Sequence, residues 1–269
     1  MKVFAIDISI CNGCYNCQIA CKDEHVANDW SPYAKPQPDT GQFWLKLQEN
    51  IRGTVPKVKM HYVPMLCMHC DSAPCIPSCP TDSAAIYKRD DGLVIIDPDK
   101  CSGCKSCVDA CPYGAIYFNE NNNIAQKCTG CAHLLDDGWK EPRCVDACPT
   151  EALKFGEESE LKDMIKKSII MRPELKIKPR VYYLNMPKQF IGGTVYDRVE
   201  EDVVIDATCT LQGNGVELTA TTDGFGDFWF EGIEEGVYSL KIEAEGFAAK
   251  TFNNLSTEGK SLNLGDIPL

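Results

Sequence analysis

The hydrophobic residues of the first 100 positions come in short, strand-length runs, and each run ends close to a cysteine. Residues 2–8 read as a strand that delivers Cys11, residues 57–64 as one leading into Cys67, and residues 93–96 as one leading into Cys101. Residues 17–25 read as the short helix that follows the first cysteine loop. Further on, Leu161, Met164, Ile165 and Ile169 share a helical face, which predicts a helix over 159–171 stopped by Pro173. Residues 172–187 then read as a linker with prolines at 173, 179 and 187. Val181, Tyr182, Tyr183 and Leu184 are too apolar to be left in water, so the linker is expected to clasp the preceding domain.

From Gln189 the pattern changes to period two. Tyr238, Leu240, Ile242 and Ala244 alternate with Ser239, Lys241 and Glu243, and Phe228 and Phe230 do the same. Turn signals at Gly192-Gly193, Asn214-Gly215, Asp223-Gly224, Glu235-Gly236 and Glu245-Gly246 bracket six or seven such segments, the spacing of a small antiparallel sandwich or barrel. The pattern therefore divides the chain into residues 1–156, a helix and linker at 157–188, and a β-domain at 189–269. Between residues 28 and 56 lies a loop-rich insertion with Trp30, Tyr33, Phe43 and Trp44, aromatics that either cover the adjacent core or anchor an interface.

The chemistry sits in the cysteines. Of the 17, all but Cys209 fall at or before Cys148, in four quartets. Cys101, Cys104 and Cys107 stand two apart on a short loop, and Cys111 follows before a proline. Cys11, Cys14, Cys17 and Cys21 repeat the spacing. Cys67, Cys70, Cys75 and Cys79 repeat it with a longer middle gap, and Cys128, Cys131, Cys144 and Cys148 with a twelve-residue insertion. Three thiols on a tight loop can wrap three irons of a 4Fe–4S cube while the fourth iron is out of reach. In this pattern the fourth cysteine ligates another cluster, so each motif demands a partner motif. The phrases Cys111-Pro112-Tyr113-Gly114-Ala115-Ile116 and Cys148-Pro149-Thr150-Glu151-Ala152-Leu153 echo each other, and each puts an apolar residue beside the neighbouring cube. The first 155 residues thus read as two ferredoxin-type units, one nested inside the other.

Two other uses of cysteine weigh against this. A disulfide framework belongs to small secreted domains, and no basic stretch followed by an apolar one opens the chain. Zinc ribbons need two separated ligand pairs, whereas three thiols within seven residues suit a cube. Oxygen-sensitive cubes point to a reducing, cytoplasmic compartment. His69 and His133 lie near the loops, but the quartets are complete without them, so both are expected to pack or to hydrogen-bond to cluster sulfur. Cys209, alone on a strand, reads as a small buried apolar side chain.

The net charge is −12, which argues against nucleic acid and against an anionic membrane surface. Residues 190–269 hold 15 Asp and Glu against 4 Lys and Arg, so nearly all of the excess belongs to the β-domain. No window approaches eighteen consecutive apolar residues. No histidine, ligand cluster or nucleophile with a neighbouring base occurs in the β-domain, and no site for an organic substrate is found anywhere on the chain.

The arrangement of quartets resembles the iron–sulfur subunits of the dimethyl-sulfoxide-reductase family of molybdopterin enzymes. The residues from Thr222 to Phe228, followed by Gly236-Val237-Tyr238-Ser239-Leu240, resemble the prealbumin-like or carboxypeptidase-regulatory-like β-domains. The resemblance implies an α+β fold of tandem bacterial-ferredoxin-like units with four 4Fe–4S clusters, plus a C-terminal all-β sandwich or barrel. It pairs motif one with four and motif two with three. The ligand sets would be Cys11, Cys14, Cys17 with Cys148; Cys128, Cys131, Cys144 with Cys21; Cys67, Cys70, Cys75 with Cys111; and Cys101, Cys104, Cys107 with Cys79. It implies a heterodimer with a large catalytic subunit bearing molybdenum and two molybdopterin guanine dinucleotides. Membrane-bound formate dehydrogenases of this family add a C-terminal transmembrane helix, whereas a β-domain in that position resembles the soluble transhydroxylase members acting on trihydroxybenzenes. Two readings compete with that one: the iron–sulfur subunit of another molybdenum or tungsten oxidoreductase, such as a formate dehydrogenase or sulfur-compound reductase, and a free polyferredoxin carrier.

Overall fold

A computed structural model describes residues 1–80 and 84–269. The chain divides into two compact units: Met1–Glu49 with His61–Met186, and Asn50–Met60 with Pro187–Leu269.

The first unit opens on β1 (Lys2–Asp7), whose Val3, Phe4, Ala5 and Ile6 are all buried. After the first cysteine loop comes α1 (Asn16–Val26), which buries Cys17, Cys21 and His25. The insertion is less loop-like than its prolines suggest, because β2 (Lys46–Thr54) pairs with β3 (Lys57–Met65) as a hairpin. Trp44 just before β2 is fully buried, so this aromatic covers core. Four short helices carry or adjoin cysteines, α2 (Cys75–Ser78), α3 (Ser106–Ala110), α4 (Ala132–Asp136) and α5 (Arg143–Asp146). They alternate with the two-stranded ribbons β4 (Ile86–Lys88) with β5 (Val94–Ile96), and β6 (Tyr117–Asn119) with β7 (Ile124–Gln126). The helix α1 packs on α5 and α2 on α3, so the first motif meets the fourth and the second meets the third.

The last part of this unit departs from its sequence pattern. β8 (Leu153–Glu157) pairs antiparallel with β1, as Phe4 opposite Phe155. The helix expected over 159–171 shrinks to α6 (Lys162–Ile165), which buries no residue. A helix with no face to bury has little to stabilise it. Ile169 instead exchanges backbone hydrogen bonds with Tyr183 at 2.8 and 2.9 Å, which draws the chain into extended form. The apolar run in the linker is a strand, β9 (Val181–Leu184), parallel to β1, so the sheet order is β8-β1-β9. Tyr183 is wholly buried and donates its hydroxyl to the Pro64 carbonyl at 2.9 Å. Arg180, also buried, is held by Asp71 at 2.6 Å and by Glu158.

The second unit has eight strands where the turn signals suggest six or seven: β10 (Gln189–Asp197), β11 (Asp202–Val203), β12 (Thr208–Gly213), β13 (Val216–Thr221), β14 (Asp227–Ile233), β15 (Val237–Glu243), β16 (Lys250–Ser256) and β17 (Leu262–Pro268). One sheet runs β11-β10-β14 with β17 parallel on β10, and the other runs β13-β12-β15-β16. Ile191, Val195, Phe228 and Phe230 of the first sheet share a core with Cys209, Leu211, Leu240 and Ile242 of the second, so the sheets form a sandwich. Cys209 is fully buried in that core. No described helix is long and apolar enough to cross a membrane.

The tip of the β2–β3 hairpin belongs to this second unit through its cations. Lys57 is buried and paired with the Asp227 carboxylate, and its ammonium lies 5.3 Å from the centre of the Trp229 ring, with that of Lys59 at 4.9 Å. Thr194 donates to the other Asp227 oxygen at 2.7 Å. Removing only the carboxylate charge strands a buried ammonium. Asp227→Asn should therefore lower the β-domain's unfolding free energy in urea by about 3 kcal/mol, and adding Lys57→Met should restore most of it. If the double variant is no more stable than the single one, the pair does not explain the loss.

Candidate metal centres

Four loops carry the thiols, and their backbones follow one path. The residue two after the leading cysteine is left-handed in each: Gly13 at φ 72°, Gly103 at φ 74°, Gly130 at φ 64°, and His69 at φ 43°. A left-handed residue there curls the chain so that N–H groups turn toward sulfur. Accordingly His69 N–H donates to Cys67 Sγ at 3.5 Å and Gly130 N–H to Cys128 Sγ at 3.4 Å, while Ala125 N–H reaches Cys101 Sγ at 3.4 Å from β7. His69 stands where the other loops have glycine. Its ring is buried, stacked 6.4 Å from Phe4, and its Nδ1 accepts the Val94 N–H of β5 at 3.0 Å. That bond puts the proton on Nε2, which is buried and has no partner among the described residues.

The fold gathers the sixteen thiols into four groups. In group one, burial lifts the Cys17 thiol to about 12, helped by Cys11, Cys148 and Cys14 beside it. In group two, burial pushes Cys144 well above the thiol range, with Cys131, Cys21 and Cys128 adding to it. In group three, Cys67, Cys70, Cys75 and Cys111 line a small void together with Ile116, and burial followed by the neighbouring thiols lifts Cys70 to about 12. In group four, Cys79, Cys101, Cys104 and Cys107 line a second small void, and burial chiefly lifts Cys107 to about 12. Cys148 moves the other way: burial raises it, but the Leu153 N–H, the Thr150 hydroxyl at 3.7 Å and the Ala152 N–H bring it below the usual value.

The groups also stand in order. Cys144 of group two feels Cys17 of group one, Cys128 of group two feels Cys67 of group three, and Cys107 of group four feels Cys75 of group three. Every thiol of group two is buried, whereas the end groups each expose one, Cys14 in group one and Cys104 in group four.

This donor set fits iron–sulfur clusters. Buried thiols with raised pKa values become thiolates only against bound cationic metal. Among the described residues no three of the candidate ligands are close enough to hold a single ion; the thiols stand around voids instead. The N–H groups aimed at sulfur supply the hydrogen bonds that thiolate-bound clusters accept. All seventeen cysteines are free, so disulfides play no part. His133 packs rather than ligates: Trp30 stacks on it at 4.3 Å, and its Nε2 meets Glu24 at 3.0 Å. One buried charge escapes the spacing analysis, Lys127, which stands between the uncharged strand Ile124–Gln126 and Cys128. A lone charge beside an apolar run is the signal that could have found it.

Fold and thiols define a ferredoxin-type iron–sulfur protein joined to a β-sandwich. A model of the 4Fe–4S dicluster domain matches residues 58–158, one of the 4Fe–4S binding domain matches residues 8–27, and one of the carboxypeptidase regulatory-like domain matches residues 191–269. The small subunit of pyrogallol hydroxytransferase from Pelobacter acidigallici is 39% identical over 98% of this chain and 97% of its own length. A tetrathionate reductase subunit from Salmonella typhimurium is 31% identical over 69% of this chain and 73% of its own. The iron–sulfur subunit of the arsenate respiratory reductase from a Shewanella species is 44% identical over 42% of this chain and 43% of its own. The chain belongs to this family of iron–sulfur subunits of molybdenum enzymes, together with the pyrogallol hydroxytransferase small subunit.

The loop geometry is open to a paired test. Gly103 and Gly114 are both left-handed, but a Cβ on Gly103 would lie 2.6 Å from the Asn123 carbonyl oxygen, whereas one on Gly114 meets nothing within 4 Å. Each alanine costs about 1–2 kcal/mol for its φ, so any further difference measures crowding at the loop. Gly103→Ala should lower iron and acid-labile sulfide per chain, and Gly114→Ala should leave both unchanged. Equal iron content in the two variants would contradict the role given to this turn.

Proposed function

We propose that this chain is the electron-transferring subunit of a heterodimeric molybdopterin enzyme of the pyrogallol hydroxytransferase type, with four 4Fe–4S clusters held by the four thiol groups. The observation that carries the reading is the order of those groups, each within electrostatic reach of the next, with an exposed thiol at either end and a wholly buried group between. A cluster bound in each group would take up and release one electron at a time.

The protein's own residues fix where that happens. The left-handed turns at Gly13, His69 and Gly130 aim backbone N–H groups at sulfur, which favours the reduced, more negative state. Val94 and Ile116, both buried, line the void of group three and help to exclude water from it. Burial makes the inner groups intermediates rather than terminals, and partners reach only groups one and four. Substrate chemistry belongs to the large subunit, on molybdenum with two molybdopterin guanine dinucleotides, where a hydroxyl moves between positions of a trihydroxybenzene ring. The thiols, free and reduced, suit the cytoplasm of an anaerobe.

Transhydroxylation changes no net oxidation state, so the clusters set or restore the metal's valence rather than carry steady current. Anaerobic co-purification with the large subunit should yield a stable heterodimer containing molybdenum, iron and sulfide, with four reducible clusters by EPR. Rapid-freeze samples taken during pyrogallol turnover should show the clusters' oxidation levels constant on the turnover timescale. Clusters that cycle at the turnover rate would instead favour a net oxidoreductase, such as a sulfur-compound reductase. A protein that elutes alone would favour a free carrier.

A further inference from the structure

Among its described residues the first unit contains a buried cation with no carboxylate beside it. Lys127 is 3% exposed. Its ammonium donates to the carbonyl oxygen of Cys128 at 3.0 Å and to that of Val94, and among the described residues it forms no ion pair. The other buried cations are different: Lys57 has Asp227, and Arg180 has Asp71 and Glu158. An ammonium taken out of water costs several kcal/mol unless an anion offsets it, and two carbonyl oxygens carry no net charge.

Its two partners say where that anion must lie. Cys128 belongs to group two, and Val94 lines the void of group three. The ammonium therefore lies between a carbonyl of the group-two loop and one at the edge of group three's void. The Val94 peptide ties these together, its C=O accepting from Lys127 and its N–H donating to His69 Nδ1 at 3.0 Å.

We propose that Lys127 is a positioning residue for electron transfer, a fixed positive charge shared by the two inner clusters that raises their reduction potentials relative to the outer two. This rests on the reading that groups two and three hold clusters. An electron arriving on a buried, thiolate-ligated cluster adds negative charge where water cannot solvate it. A cation between the inner pair offsets that cost for both and keeps the middle of the path from becoming a barrier.

The test is potentiometric EPR on the intact anaerobic complex carrying Lys127→Met, which keeps the bulk and removes the charge. The expected result is full iron and sulfide content, with the midpoint potentials of two clusters shifted to more negative values and those of the other two unmoved. Unchanged potentials, or an equal shift of all four, overturn the proposal. Lys127→Arg, which keeps the charge, should retain the wild-type order of potentials, and the proposal fails if it shifts them as far as methionine does. Should Lys127→Met not take up iron, Lys127→Gln replaces it, and loss of clusters by both marks the residue as structural and also overturns the proposal. Wild-type complex without iron and acid-labile sulfide would instead refute the cluster reading itself.

Discussion

No loop in this chain can complete a thiol group by itself. Each supplies three cysteines, and the fourth comes from another motif: groups one and two exchange Cys148 and Cys21, and groups three and four exchange Cys111 and Cys79. That exchange dictates the rest of the first unit. The outermost motifs must meet, so β1, which leads into Cys11, pairs with β8, which follows Cys148, and α1 packs on α5. The inner motifs must also meet, so α2 packs on α3 inside the loop that the outer pair closes. Nesting is thus a consequence of the exchanged cysteines, and it shortens the distance between groups because a motif that serves two groups holds both.

Burial then sets the electrostatics. Taking thiols out of water raises them, to about 12 at Cys17, Cys70 and Cys107, so the protonated form is favoured until metal arrives. Metal binding must displace those protons, and metal affinity and folding are therefore coupled. The N–H groups and the thiol's surroundings bias each group differently. Cys148, with four donors around it, sits below the usual thiol value, while Cys144, with burial and neighbouring sulfurs, sits far above it.

How much of this can be read from residues alone depends on whether the cause is local. Period-two alternation names the β-domain's inner face, and Tyr238, Leu240 and Ile242 are indeed buried there. Cysteine spacing marks the loops because the turn between ligands is a local structure that needs a glycine or a tolerated substitute. The helix expected over 159–171 fails for the complementary reason. Its apolar residues have the spacing, but Tyr183 offers Ile169 a tertiary pairing that the helical pattern cannot anticipate. The same strand, β9, hides in a proline-rich segment because its partner, β1, lies at the other end of the unit. Lys127 shows in the sequence only as a lone charge beside an uncharged strand, because its meaning depends on which two groups flank it, and that is known only once the motifs are folded together.

The acidity of the chain fits the same electrostatic logic. Negative charge near a cluster opposes its reduction, and the excess of 15 acidic over 4 basic residues falls at positions 190–269, leaving residues 1–189 taken together close to neutral. Within that unit several carboxylates are tied to cations: Asp71 to Arg180 and Lys88, Asp136 to Arg89, Glu24 to Arg143, and Asp97 to Lys100. The Asp136 carboxyl is held down to about 2, first by Arg89 and then by the Tyr33 hydroxyl, so it remains ionised and neutralised together with its partner. With those acids paired, Lys127 is the buried cation of the first unit that, among the described residues, no carboxylate offsets. On the reading proposed above, such a local charge, rather than the bulk charge of the chain, would set the order in which electrons fill it.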